Sequence, residues 1–265
     1  MIVPLIAALS FYTLASGSFI ASLFTSRPLW AQLARGSLLL GAMGHAIWSF
    51  LRYQQLGQSP FLDVHEALAA FAWLLVVGYM GLRVIQPKLD AAGLFIAPVA
   101  DLLLAVSAVT APQEPIPPKI GLTLLPFHIS AAVLGTVALG LGSAAALMYL
   151  VLERRLRQKK FGAIYQKFPS LDVLDSLAYR CTAVGFLLFT LGLITGVFTA
   201  REDLVALLIS GNRWLHYTIG GLGWVLFGIM LQARVLAGWT GRRAAVLTIL
   251  GFLCALTVFL LYLFR

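Results

Sequence analysis

Apolar residues in this chain fall in long, nearly unbroken blocks. They lack the alternation of a strand and the narrow stripe of a soluble amphipathic helix. A helix needs about 20 such residues to cross a hydrocarbon layer. Eight blocks meet that length, near residues 2–25, 36–53, 64–85, 93–110, 124–152, 177–200, 213–236 and 244–264. The fifth is long enough to continue as a helix beyond the membrane through Leu152 to Arg157. Breaks between blocks carry turn residues: Gly57-Gln58-Ser59-Pro60, Gln86-Pro87-Lys88, and a stretch from Pro112 to Pro118 with four prolines. Pro169-Ser170-Leu171-Asp172 reads as a turn into a helix N-cap. Pro98, inside the fourth block, predicts a kink there. The first block lacks a basic leader and is expected to be a membrane span, not a cleaved signal. The pattern predicts an all-α, polytopic integral membrane protein of about eight transmembrane helices.

Composition agrees. Of 265 residues, 60% are hydrophobic and 11% charged, against about a quarter charged in soluble domains. No segment is large enough to stand as a soluble domain. Residues 1–265 are therefore expected to form one transmembrane helical domain, with 153–176 as a basic cytoplasmic loop within it. Cys181 and Cys254 sit singly in apolar blocks and offer neither CxxC chemistry nor a zinc set.

The net charge of +9 would suit a nucleic-acid partner only if it formed a basic face, and none is present. Instead the cations separate by side. Arg27, Arg35, Arg83 and Lys88, the seven between Arg154 and Arg180, and Arg234, Arg242 and Arg243 follow odd-numbered blocks; these are 14 of the 19. Arg52, Lys119, Arg201, Arg213 and Arg265 make up the other five. The positive-inside tendency then places both termini outside.

The chain has four histidines. His65, His128 and His216 open the third, fifth and seventh blocks, all on the predicted outer side. His45 lies about ten residues into the second, near mid-membrane at about 1.5 Å per residue. One histidine at a membrane boundary is an ordinary amphipathic residue. Three at one depth, plus one deeper, are candidates for metal ligation, because imidazole is a usual axial ligand of haem iron. Arg52 and Arg213 are candidates to pair with propionates, as are Lys119 and Arg201; equally, all can be loop cations. Glu66 can orient the imidazole of His65 or cap its helix. Trp73 and Trp214, with Trp48 and Trp224, can wall a porphyrin, although tryptophan is also common at membrane boundaries. Asp101 is either a proton or cation site, or a neutral acid bonded to backbone freed by Pro98; the second reading is preferred.

A family resemblance lies in Leu125-Pro126-Phe127-His128-Ile129-Ser130, the span ending Leu152-Glu153-Arg154, and Lys160-Phe161-Gly162-Ala163. It continues through Leu191-Gly192-Leu193-Ile194-Thr195-Gly196, Gly238-Trp239-Thr240-Gly241-Arg242-Arg243, and Glu66-Ala67-Leu68 with Phe71-Ala72-Trp73. Together these resemble the cytochrome c assembly protein family, haem-handling membrane proteins of the CcsA, ResC and CcmC kind, over roughly residues 60–250. The short HemX-like branch is nearest in length. The resemblance implies that His128 ligates haem near the outer face of a bacterial plasma (inner) membrane. It also implies departures. Gly211-Asn212-Arg213-Trp214-Leu215-His216 has one tryptophan and no acid where larger members have a tryptophan-rich loop, Gln232 stands where they have a membrane histidine, and the outer loop after the last span is missing.

The expected function is haem binding and handling in cytochrome c maturation, by transfer or export, or control of haem supply. A haem carrier or assembly factor is expected in preference to an enzyme. The cofactor is haem b (iron protoporphyrin IX), with His128 as one ligand and His216 or His65 as the other; His45 would serve a deeper site. Expected partners are other assembly proteins or apocytochrome c, and the lipid bilayer. Two further classes stay open. A b-type cytochrome exchanging electrons with quinone would place histidine pairs deep on facing helices. A small-solute or ion transporter would use Asp101, but lacks an inverted repeat.

Overall fold

The structure, a computed structural model, describes residues 2–25, 27–57, 64–110, 124–159, 162, 165, 167–199 and 214–263. Among them are eight helices of 18 residues or more and no strand. They are α1 (Ile2–Phe24), α2 (Pro28–Leu56), α3 (Val64–Ile85), α4 (Gly93–Thr110), α5 (Leu125–Arg157), α6 (Leu171–Thr199), α7 (Trp214–Ala237) and α8 (Arg242–Leu263). A 3-10 turn, Pro87–Ala92, leads into α4. The chain is an all-α polytopic membrane protein.

Local chemistry sets the ends. Pro28 occupies the first turn of α2, where its missing N–H costs nothing. The same helix stops at Gly57, whose left-handed φ of 61° lets its N–H reach the Tyr53 carbonyl at 2.8 Å. Ser170 caps α6 by accepting from the Val173 N–H at 3.4 Å, as the Pro-Ser-Leu-Asp turn predicts. α5 does continue to Arg157. Its 33 residues span about 50 Å, beyond the ~30 Å hydrocarbon layer.

Of the eight described helices, seven are long and apolar enough to cross a membrane. The exception, α2, is long but carries His45, Trp48 and Arg52 on the face turned into the bundle. Leu39, Leu40, Met43, Ile47 and Phe50 lie on its exposed face. Such apolar-out, polar-in ordering is stable only where the outside is lipid.

Neighbouring helices run antiparallel, as paired contacts show. Tyr12 meets Gly41 and Ala8 meets Gly44 between α1 and α2, and Thr13 meets Asp101 between α1 and α4. Between α2 and α3, Trp73 donates to the Ala42 carbonyl while Arg52 pairs with Glu66. Gly135 faces Phe189, and Gly142 faces Ala178, along the extensive α5–α6 contact. Ser143 bonds the Thr248 carbonyl between α5 and α8, and Gly223 abuts Cys254 between α7 and α8. By contrast, α3 and α5 are parallel, with Leu75 beside Gly140 and Gly78 beside Leu141. All odd helices therefore run one way and all even helices the other.

Candidate functional site

Because the odd helices are parallel, their first turns share one rim of the bundle. His65, His128 and His216 stand on that rim, and Arg52 joins them near the end of α2. The opposite rim collects Arg27, Arg35, Arg83, Arg154, Arg155, Arg157, Arg234, Arg242 and Arg243. Three histidines at one depth are thus a property of the fold as well as of the sequence.

His128 is the most defined of them. Its Nδ1 lies 2.7 Å from the Gly192 carbonyl on α6. A carbonyl only accepts, so Nδ1 carries the hydrogen and Nε2 keeps the lone pair. The ring rests on Gly196; a Cβ there would stand 2.7 Å from Cε1 of His128. Two glycines one helical turn apart thus supply both the anchor and the space for the imidazole. Thr195 adds a hydroxyl at 3.4 Å from Nδ1.

His65 is held from another helix. Its Nδ1 is 2.9 Å from Thr110 Oγ1 on α4. That hydroxyl also lies 2.8 Å from the Val106 carbonyl of its own helix. Ser107 fixes the backbone by donating to the His65 carbonyl at 2.8 Å. His216 is buried in the first turn of α7.

The remaining candidates divide. Glu66 lies against Arg52, with both Nε and Nη2 at 2.6 Å from Oε1. The guanidinium also lies 5.7 Å from the ring of Trp48. Trp73 spends its indole N–H on the Ala42 carbonyl at 3.0 Å, joining α3 to α2. Trp224 donates to Thr190 at 2.9 Å and stacks on Phe186. Arg213, Lys119, Arg201 and the side chain of Trp214 lie outside the described residues.

His45 is deeper and fully buried. Its Nδ1 is 3.3 Å from the Tyr12 hydroxyl, Trp48 lies 6.0 Å away ring to ring, and Nε2 has no partner. Asp101 Oδ2 lies 2.7 Å from the hydroxyl of Thr13, a side chain of α1, where the sequence predicted backbone released by Pro98 as its partner. Among the described residues, no three His, Cys, Asp or Glu side chains converge on one point. His65 turns to α4 and His128 to α6, so the shared rim does not by itself make a shared ligand point.

The sequence reading missed Gly192, Gly196, Thr110 and Tyr12 as supports. The first two had a signal, because glycines one turn apart in a membrane helix mark a close approach.

A family model described as Cytochrome C assembly protein matches residues 2–264. The chain is similar to the cytochrome c biogenesis protein CcsA of Guillardia theta, 28% identical over 240 residues, covering 82% of this chain and 77% of the relative. It is similar to that of Chlorella vulgaris, 28% identical over 239 residues, covering 77% and 74%. The protein of the same name from Synechococcus elongatus is 26% identical over 274 residues, covering 84% and 80%. No solved structure matches.

Proposed function

The chain belongs to the cytochrome c assembly protein family, and from that membership we propose that it is a haem-handling membrane protein of cytochrome c maturation. Haem is its cargo, a b-type haem held at the histidine rim. We place that rim at the outer face of a bacterial plasma membrane, because the opposite rim carries most of the cations. The relatives are cytochrome c biogenesis proteins by name, and the rim histidines are the residues here suited to such a task.

One observation carries this reading. His128 has its Nδ1–H fixed by the Gly192 carbonyl, the arrangement that holds a ligand imidazole in one orientation with Nε2 available to iron. His216 or His65 supplies the second imidazole. His65 is anchored through its Nδ1 by Thr110. Bound haem would bring an iron centre and two carboxylates. The protein's part is to hold the iron by imidazole, orient the macrocycle and keep it from water. Other assembly proteins or apocytochrome c are the proposed exchange partners.

The test is purification in mild detergent, with an absorption spectrum and a pyridine haemochrome assay. We expect a Soret band and about one haem per chain. His128→Ala abolishes or strongly shifts the band, and His45→Ala leaves it in place. Comparing His65→Ala with His216→Ala identifies the second ligand. A colourless protein from haem-replete cells, unable to take up added haemin, overturns the reading.

A further inference from the structure

Asp101 and Thr13 stand near the middles of α4 and α1. A carboxyl at that depth is costly unless it is neutral or paired with a cation. No cation is supplied: among the described ion pairs, Arg35 and Arg83 go to Asp90, Arg52 to Glu66, Arg157 to Glu153 and Arg234 to Asp175. Asp101 is the only ionisable residue of α4. Of the elements packed against α4, α1 brings Tyr12 beside Thr13, with His45 of α2 behind it. α3 holds His65 and Glu66 at the rim, engaged with Thr110 and Arg52. The turn before α4 holds Asp90 and Lys88 at the other end, and α5, which touches α4 sparingly, carries its ionisable residues near its two ends. The acid is therefore isolated from other charges along the span.

The hydrogen count at Thr13 is informative. Its hydroxyl lies 2.9 Å from the Leu9 carbonyl and 2.7 Å from Asp101 Oδ2, yet it has one hydrogen for two acceptors. Two arrangements satisfy it. With the acid neutral, Asp101 donates its own proton to Thr13 Oγ1, and Thr13 donates to Leu9. With the acid ionised, Thr13 turns and donates to Oδ2, releasing the Leu9 carbonyl. Oδ1 is buried with no partner in either arrangement, which a neutral acid tolerates far better than a carboxylate. The acid is not sealed in the core, since Thr13 is exposed and Asp101 only partly buried. Water drawn toward a membrane-embedded charge can reach it.

We propose that Asp101 and Thr13 form an intramembrane site for one proton, in which the threonine hydroxyl changes acceptor with the charge of the acid. The proton leaves to and returns from water, and no bond between heavy atoms changes. This site is separate from the histidine rim and does not depend on haem.

The experiment uses the full, haem-free chain in lipid nanodiscs. Infrared difference spectra are recorded across a pH titration, reading the C=O stretch of a protonated carboxyl and its shift in heavy water. We expect this band at neutral pH, its reversible loss as pH rises while the protein stays folded, and its absence in Asp101→Asn. Thr13→Val retains the acid but removes its hydrogen-bond partner, and moves the band to higher wavenumber. It serves as the informative variant if Asp101→Asn fails to fold. A band unaffected by both substitutions belongs to another acid and overturns the proposal. So does the absence of any band, or one that persists unchanged until the protein unfolds.

Discussion

At the scale of single residues, the histidine rim depends on atoms the sequence does not advertise. Position 128 was legible as a candidate, because it is one of three histidines opening apolar blocks at one predicted depth. Its partner was not. The Gly192 carbonyl is 64 residues away, and only the α5–α6 packing brings it within 2.7 Å. Gly196→Ala tests this dependence directly, because the added methyl would occupy space now filled by the imidazole. Haem affinity should fall on the order of 10–100-fold, the usual cost of disturbing a ligand's support, with helix content unchanged by circular dichroism. The Arg52–Glu66 pair was hidden for a related reason. Each residue was legible as a functional candidate, but charge alone could not say that they would choose each other. With the arginine buried and both contacts at 2.6 Å, removing one partner leaves an uncompensated charge. Arg52→Met should destabilise the protein by about 3–5 kcal/mol. Arg52→Met with Glu66→Met should recover most of that loss, as measured by thermal unfolding in one detergent.

At the scale of elements, spans were legible because they depend on local composition. Packing between them was legible only in part. α5 and α6 approach so closely because glycines face backbone across the contact: a Cβ on Gly135 would lie 2.8 Å from the Phe189 nitrogen. Backbone cannot yield as a flexible side chain can. Gly135→Leu should cost at least about 1–3 kcal/mol and shift the midpoint of thermal unfolding downward. Gly17→Leu provides the contrast, since nothing lies within 4 Å of a Cβ there. If the two variants melt alike, close packing of α5 on α6 is not what the glycines provide. α2 illustrates why hydropathy alone understates a span. Its polar residues count against it along the chain, yet in the bundle they face inward and lipid meets the leucines.

At the scale of the whole molecule, alternation of helix direction turns three separate sequence positions into one rim and the basic segments into another. The cation tally was enough to anticipate this, because each loop's side follows once spans alternate. Which rim faces the cytosol is a separate matter, decided by labelling. In a chain with Cys181 and Cys254 replaced, Lys159→Cys should stay unlabelled by an impermeant maleimide added to intact cells, and Leu124→Cys should react. The reverse result would put the histidines on the cytosolic side and remove the proposed outer haem site. One tie crosses the whole fold on the cation-rich rim. The ammonium of Lys167 is held by the carbonyls of Ser22 and Thr25, which close the last turn of α1. Positive charge at that end also complements the helix dipole. A nascent chain must therefore make 142 residues beyond Thr25 before α1 receives this clasp. Until then α1 is held chiefly by α2 and α4, and its last turn lacks the charge that completes it.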